Sequence, residues 1–226
     1  MRDRSFTLAV SGHRRLSGAE RLWLDAAGAE ALTLVTGGLG AVLDTGPVQM
    51  ISALAAGADQ RLASLAVAHP REMSLRVLLP FARAPYRARL AEGLDEAEGR
   101  DAQVAFDALC RSAGDVIQLD AGTAPHDADD AAARYRLLAR ELAGRADLLL
   151  AVWRGGPAEG PGGTAEVVDD ALASGVPVLW LAPFRPARGL LPGMAGGGVA
   201  DAIEAGPVEA LERAAGHFLA RRESAA

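Results

Sequence analysis

The chain contains no lysine; all 23 of its Lys-or-Arg positions are arginine. Composition bias accounts for the absence, since alanine, glycine and arginine are all abundant. The absence still excludes a P-loop lysine, a Schiff base and a lysine general base. Arginine must make the cationic contacts to any phosphate, which its forked donors do well. There is one cysteine, Cys110, so neither an internal disulfide nor a zinc cluster can form. No apolar run approaches the roughly 20 residues needed to cross a bilayer, and mean hydropathy is only +0.13. Met1 to Ser5 is mostly charged or polar, unlike a secretory signal. A cytoplasmic protein without a membrane partner is the expectation. A net charge of −6 and a pI near 5.3 argue against an extended nucleic-acid surface.

What is present suits a globular α/β chain. It has 226 residues, half of them hydrophobic, which is enough for one large domain spanning residues 1–226. Six short, nearly continuous apolar runs read as strands buried on both faces: Phe6–Ser11, Val48–Leu54, Leu75–Leu79, Val116–Leu119, Leu148–Val152 and Val176–Leu181. Between them, Ala58–Ala68, Ala131–Ala143 and Ala165–Ala173 read as helices, and Pro207–Arg221 as a C-terminal one. The alternation predicts a Rossmann-like three-layer fold, with a mainly parallel sheet of about six or more strands and helices on both faces. Gly18–Leu43 begins as a helix, and its glycine-rich second half fits either a frayed helix or a strand and turn. Gly155–Gly163 and Pro183–Gly198 read as loops. Right-handed crossovers place all the strand-to-helix loops on one edge.

Three of those loops carry candidate binding residues. After the first strand, Gly12 allows close backbone approach to a ligand, and His13 and Arg14 bring polar donors to the edge where open α/β sheets bind ligands. The alternative is a strand-end turn with solvated arginines. After the second strand, Ser52 to Gln60 makes a tight turn through Gly57 into a helix. Asp59 there is a helix cap or an acceptor for a ribose hydroxyl; the alternative is close packing of helix on strand. After the fifth strand, Gly162, Gly163 and Thr164 suit a backbone cradle for phosphate, and Glu166 can reach a sugar hydroxyl or act as acid or base. A flexible loop with Thr164 as its cap is the alternative.

Other residues rank lower. The arginines of Pro80–Arg89 and Trp153 beside the glycine loop are secondary candidates. His126 with Asp127–Asp130 reads as a helix start, not a metal site, so no metal is expected. Leu34–Gly40 echoes the glycine turn of short-chain dehydrogenases. It does not complete G-x-G-x-x-G, and a lysine-free chain cannot supply their tyrosine–lysine pair. No cofactor is expected.

The three loops, taken in order, resemble the SLOG superfamily, which includes the Lonely Guy phosphoribohydrolases and the DNA-processing protein A domain. SALAAGADQRLASLA resembles the turn and helix of the latter, and PGGTAEVV resembles the PGGxGTxxE signature of the former. The second signature is shortened here: Thr164 follows Gly163 directly, and only Ala165 separates it from Glu166. The upstream catalytic arginine has only loose counterparts in Arg134, Arg136 and Arg140. The resemblance implies a ligand-binding or sensing domain for a nucleotide or other phosphate-bearing small molecule, and a homodimer. The alternative it implies is a nucleotide N-glycosidase in which Glu166 stabilises the ribosyl centre.

Overall fold

A computed structural model describes residues 5–42, 46–121, 124–193 and 197–223. Its elements alternate as expected. The strands are β1 (Thr7–Gly12), β2 (Val48–Ser52), β3 (Met73–Leu79), β4 (Asp115–Gln118), β5 (Leu148–Val152), β6 (Val178–Leu181), β7 (Arg188–Leu191) and β8 (Ile203–Ala205). The helices are α1 (Gly18–Val42), α2 (Ala58–Val67), α3 (Arg83–Arg89), α4 (Glu96–Ser112), α5 (Ala128–Arg145), α6 (Thr164–Ala173) and α7 (Pro207–Glu223). One sheet holds all eight strands in the order β4-β3-β2-β1-β5-β6-β7-β8. The first six are mutually parallel, and β7 pairs antiparallel with both β6 and β8.

The strand pleat sorts the core into two layers. Phe6, Leu8 and Val10 point to one face, where α1, α2, α4 and α7 cover them. Ala9, Ile51, Leu149 and Ala151 point to the other, beneath α5 and α6. Burial on both faces explains why these strands read as unbroken apolar runs. The fold is therefore the predicted three-layer α/β arrangement.

Two regions differ from expectation. The ambiguous stretch after Gly18 is a single helix through Val42, and Leu43 lies outside the described residues. Leu32, Val35 and Leu39 keep the helical spacing and are buried, which outweighs the glycines. The dehydrogenase-like Leu34–Gly40 is part of this helix. Pro183–Gly198, read as a loop, contains β7. Its Gly189 permits close packing: a Cβ there would stand 2.7 Å from the Gly206 carbonyl oxygen and 2.8 Å from Ala210 Cβ.

Candidate functional site

Strand order reverses at β1. The chain builds outward through β2, β3 and β4, then returns to place β5 on the other side of β1. The segments leaving β1 and β5 lead to helices on opposite faces, and such a switch point opens a crevice at the C-terminal ends of the strands. A cavity of about 640 Å³ occupies that place. Gly12, His13, Arg14, Asp59, Gly162, Gly163 and Thr164 all contribute to its wall. The three loops singled out in the sequence thus converge.

Two of the expected residues stand apart. Gly57 lines a separate cleft beside Gln60 and Arg61. Its φ is +91°, and a Cβ would come within 2.4 Å of the Arg14 carbonyl oxygen, so its role is to let α2 start directly beneath the first loop. Glu166 faces a neighbouring cleft of about 490 Å³, shared with Arg136, Arg140, Asp169 and Asp170. One of its oxygens accepts the Gly162 N–H at 2.9 Å.

The glycine loop is a narrower cradle than its composition suggests. The Gly162 N–H is held by Glu166, and the Gly163 N–H by the Gly160 carbonyl at 3.0 Å. Among the described residues, the Thr164 and Ala165 amides that open α6 have no hydrogen-bond acceptor. Two N–H groups and a positive helix end therefore remain for an anion. The Thr164 hydroxyl lies 3.5 Å from Ser11 Oγ, across the crevice between β1 and α6.

His13 is structural in its contacts. Its Nε2 accepts the Arg154 backbone N–H at 2.9 Å, which assigns the proton to Nδ1, 3.4 Å from a Glu159 carboxylate oxygen. Burial, reinforced by the Arg154 charge, lowers its pKa and keeps it neutral at pH 7; Glu159 and Glu20 pull the other way. The Arg14 guanidinium donates to the carbonyls of Arg89, Leu90 and Glu92, tying the first loop to the end of α3. Arg14, Arg15 and Arg89 bring positive charge to the cavity, opposed by Glu92 and Glu159.

Asp59 is the outlier. It is only 3% exposed, yet it forms part of the cavity wall. The Ser52 hydroxyl is 3.3 Å from its Oδ2, while its Oδ1 has no hydrogen-bond partner of normal geometry. Burial pushes the carboxyl up to about 7, against the pull of Ser52 and of the nearby Gly12 and Ala55 amides.

Sequence reasoning passed over the aromatic wall. Both tyrosines of the chain, Tyr86 and Tyr135, line the cavity with ring centroids 6.5 Å apart. Tyr86 sat unremarked in the arginine-rich segment Pro80–Arg89. The scarcity of tyrosine was the signal that could have marked it. Trp153 also reaches the wall, with its Nε1 donating to the Gly156 carbonyl at 2.8 Å. The acidic run behaves as a helix start: Asp127 accepts the Asp130 N–H at 2.8 Å. Among the described residues there is no cluster of metal-ligating side chains, and no helix is long and apolar enough to cross a membrane.

No protein family matches the chain, and none of the curated proteins does. Among solved structures, the chain aligns with the molybdenum cofactor binding protein from the phototrophic bacterium Rippkaea orientalis. The match has 14% identity and a TM-score of 0.41, over 79% of this chain and 77% of that one.

Proposed function

We propose that the switch-point cavity binds a nucleotide or nucleotide-derived phosphate, and that the chain is a ligand-binding domain of SLOG type. The observation that carries this reading is the convergence of three loops on one cavity that presents two unused helix amides and a buried carboxylate. In it the phosphate sits on the Thr164 and Ala165 N–H groups, with arginines balancing its charge. The cavity volume lies within the range of small-molecule sites, roughly 300–1,000 Å³. The tyrosines and Trp153 offer aromatic surface to a base. The shared order of motifs with SLOG proteins supports the same class. The N-glycosidase alternative ranks second, because Glu166 is engaged with Gly162 at the edge of a different cleft.

Thermal shift and calorimetry with nucleoside 5′-monophosphates, and with the same nucleosides lacking phosphate, test the reading. The monophosphates should stabilise the protein and the nucleosides should not. Thr164→Ala removes the hydroxyl and should weaken binding by about 1–3 kcal/mol. Thr164→Pro removes the amide as well and should weaken it further. Proline suits the first helical position, and Gly163 before it already has the extended φ of −68° and ψ of 167° that a pre-proline residue prefers. Equal binding by the parent and Thr164→Pro would remove the phosphate from α6.

A further inference from the structure

The Asp59 carboxylate is an acceptor left over by the fold. A buried polar group without a partner costs free energy, so native structures nearly always supply one. Asp59, itself part of the cavity wall and only 3% exposed, carries such an oxygen, with the Gly12 and Ala55 amides near the carboxylate but none in normal hydrogen-bond geometry to Oδ1. Tyr86 and Tyr135 line the same cavity, and Tyr86 lies near enough to Asp59 for the two to interact electrostatically. The α6 amides are at the cavity's other loop. The site therefore has an anion-binding part made of backbone N–H groups and, on another loop, one carboxylate acceptor near Tyr86.

Resting on the phosphate reading above, we propose that Asp59 is the specificity-determining residue for a vicinal-diol sugar phosphate, its carboxylate accepting a sugar hydroxyl that a deoxy sugar lacks. A ribosyl phosphate carries both complements on one small molecule: a dianionic end and, a few bonds away, a pair of hydroxyl donors. A site built to hydrogen-bond a hydroxyl rejects the analogue without it, because its own buried group is then left unpaired.

The pH dependence follows from the same contact. Hydroxyl donors favour the charged carboxylate, so the bound sugar lowers the pKa of Asp59 below its free value of about 7. Binding of the diol should tighten as pH rises through that value. Other titratable or charged groups also face Asp59 or the cavity: His13, Arg14 and Arg15 from the first loop, Tyr86 and Arg89 from α3, Glu92 after it, Tyr135 from α5 and Glu159 from the glycine loop. Their titration, and that of the phosphate, acts on ribose and deoxyribose phosphates alike and cancels in the ratio of the two affinities.

The experiment is calorimetric titration of the full chain with ribose 5-phosphate and with 2-deoxyribose 5-phosphate, at pH 6 and pH 8.5. The parent protein should prefer the ribose compound by about tenfold or more at pH 8.5, the equivalent of one hydrogen bond to a charged group, and by less at pH 6. Asp59→Asn should lose the pH dependence of that preference and most of its size. The two-sugar comparison on the parent needs no variant, so a folding defect in Asp59→Asn leaves the test standing. Equal affinity for the two sugars at pH 8.5 overturns the assignment of Asp59 and leaves phosphate binding intact. A preference unchanged in Asp59→Asn also overturns it. Binding of neither sugar overturns the phosphate reading as well.

Discussion

Two buried aspartates occupy opposite edges of the same sheet, and they are treated in opposite ways. Asp147, fully buried where β5 begins, is closed on every side. Its Oδ2 accepts the Thr7 N–H at 2.9 Å, its own N–H donates to the Thr7 carbonyl at 2.9 Å, and Arg221 of α7 stands 3.6 Å from its Oδ1. Asp59, where α2 begins at the C-terminal edge, has one weak hydroxyl partner, two nearby amides from Gly12 and Ala55, and an oxygen with no partner of normal hydrogen-bond geometry. At the first edge the carboxylate joins β1, β5 and α7. At the second it faces a cavity. A buried charge that the protein satisfies is part of its architecture, and one it leaves open points to a partner from outside.

The sharpest break in this comparison is pH. Burial raises the folded-state pKa of Asp59 to about 7 from the ordinary aspartate value of 3.8. Below pH 4 both folded and unfolded chains hold the proton, and the contribution to stability is fully present. Between pH 4 and pH 7 the unfolded chain gives up a proton that the folded chain keeps, so stability falls until it levels off above 7. The shift corresponds to roughly 4 kcal/mol across that window. Urea unfolding of the parent and Asp59→Asn at pH 4 and pH 8 should show the parent losing that much relative to the variant. Parallel curves would mean that Asp59 ionises normally and is better solvated than its burial implies.

Asp147→Ala should cost about 3 kcal/mol at pH 7, since it strands a buried N–H and removes the carboxylate partner of Arg221. Denaturant midpoints measure it. Because the change is at the far edge, affinity for ribose 5-phosphate should not follow the loss of stability. If the two fall together in protein that remains folded, the edges are coupled and the division of labour is wrong.

The same contrast explains what the sequence disclosed. The central parallel strands were legible because they are buried on both faces and mostly apolar, and the edge strand β4, partly exposed, was legible from Val116, Ile117 and the following Leu119. β7 and β8 were not, since β7 is interrupted by Gly189 after Arg188 and β8 is only three residues with Glu204 at its centre. The meeting of the loops after β1, β2 and β5 was legible from topology alone. The division of roles within the loops was not, because it depends on where individual hydrogen bonds go. His13, Gly57 and Glu166 look like ligand residues in sequence, yet their contacts hold loops together. Tyr135 was missed for a related reason: an aromatic residue in an alanine-rich helix reads as core until its neighbour Tyr86, about fifty positions away, is placed beside it.

Glu166 supplies the smallest and most discriminating effect. It shares the cavity's edge of the sheet with Asp59, but its hydrogen bonding resembles that of Asp147, since it closes a backbone N–H of its own loop. It also sits in the first turn of α6, where a negative charge favours the helix. Glu166→Gln keeps an oxygen that can accept the Gly162 N–H and removes only the charge. The loss should therefore be the charge-assisted part of one hydrogen bond plus a helix-end term, together about 1 kcal/mol. A small fall in melting temperature should record it. Affinity for ribose 5-phosphate should stay within about twofold of the parent, equivalent to less than 0.5 kcal/mol, because the Thr164 and Ala165 amides do not depend on that charge. The opposite result, unchanged melting with an affinity loss of about tenfold or more, would mean that Glu166 turns into the cavity when ligand binds. It would then stand beside the sugar with Asp59, and cleavage of the base from the ribose phosphate would become the better reading of the site.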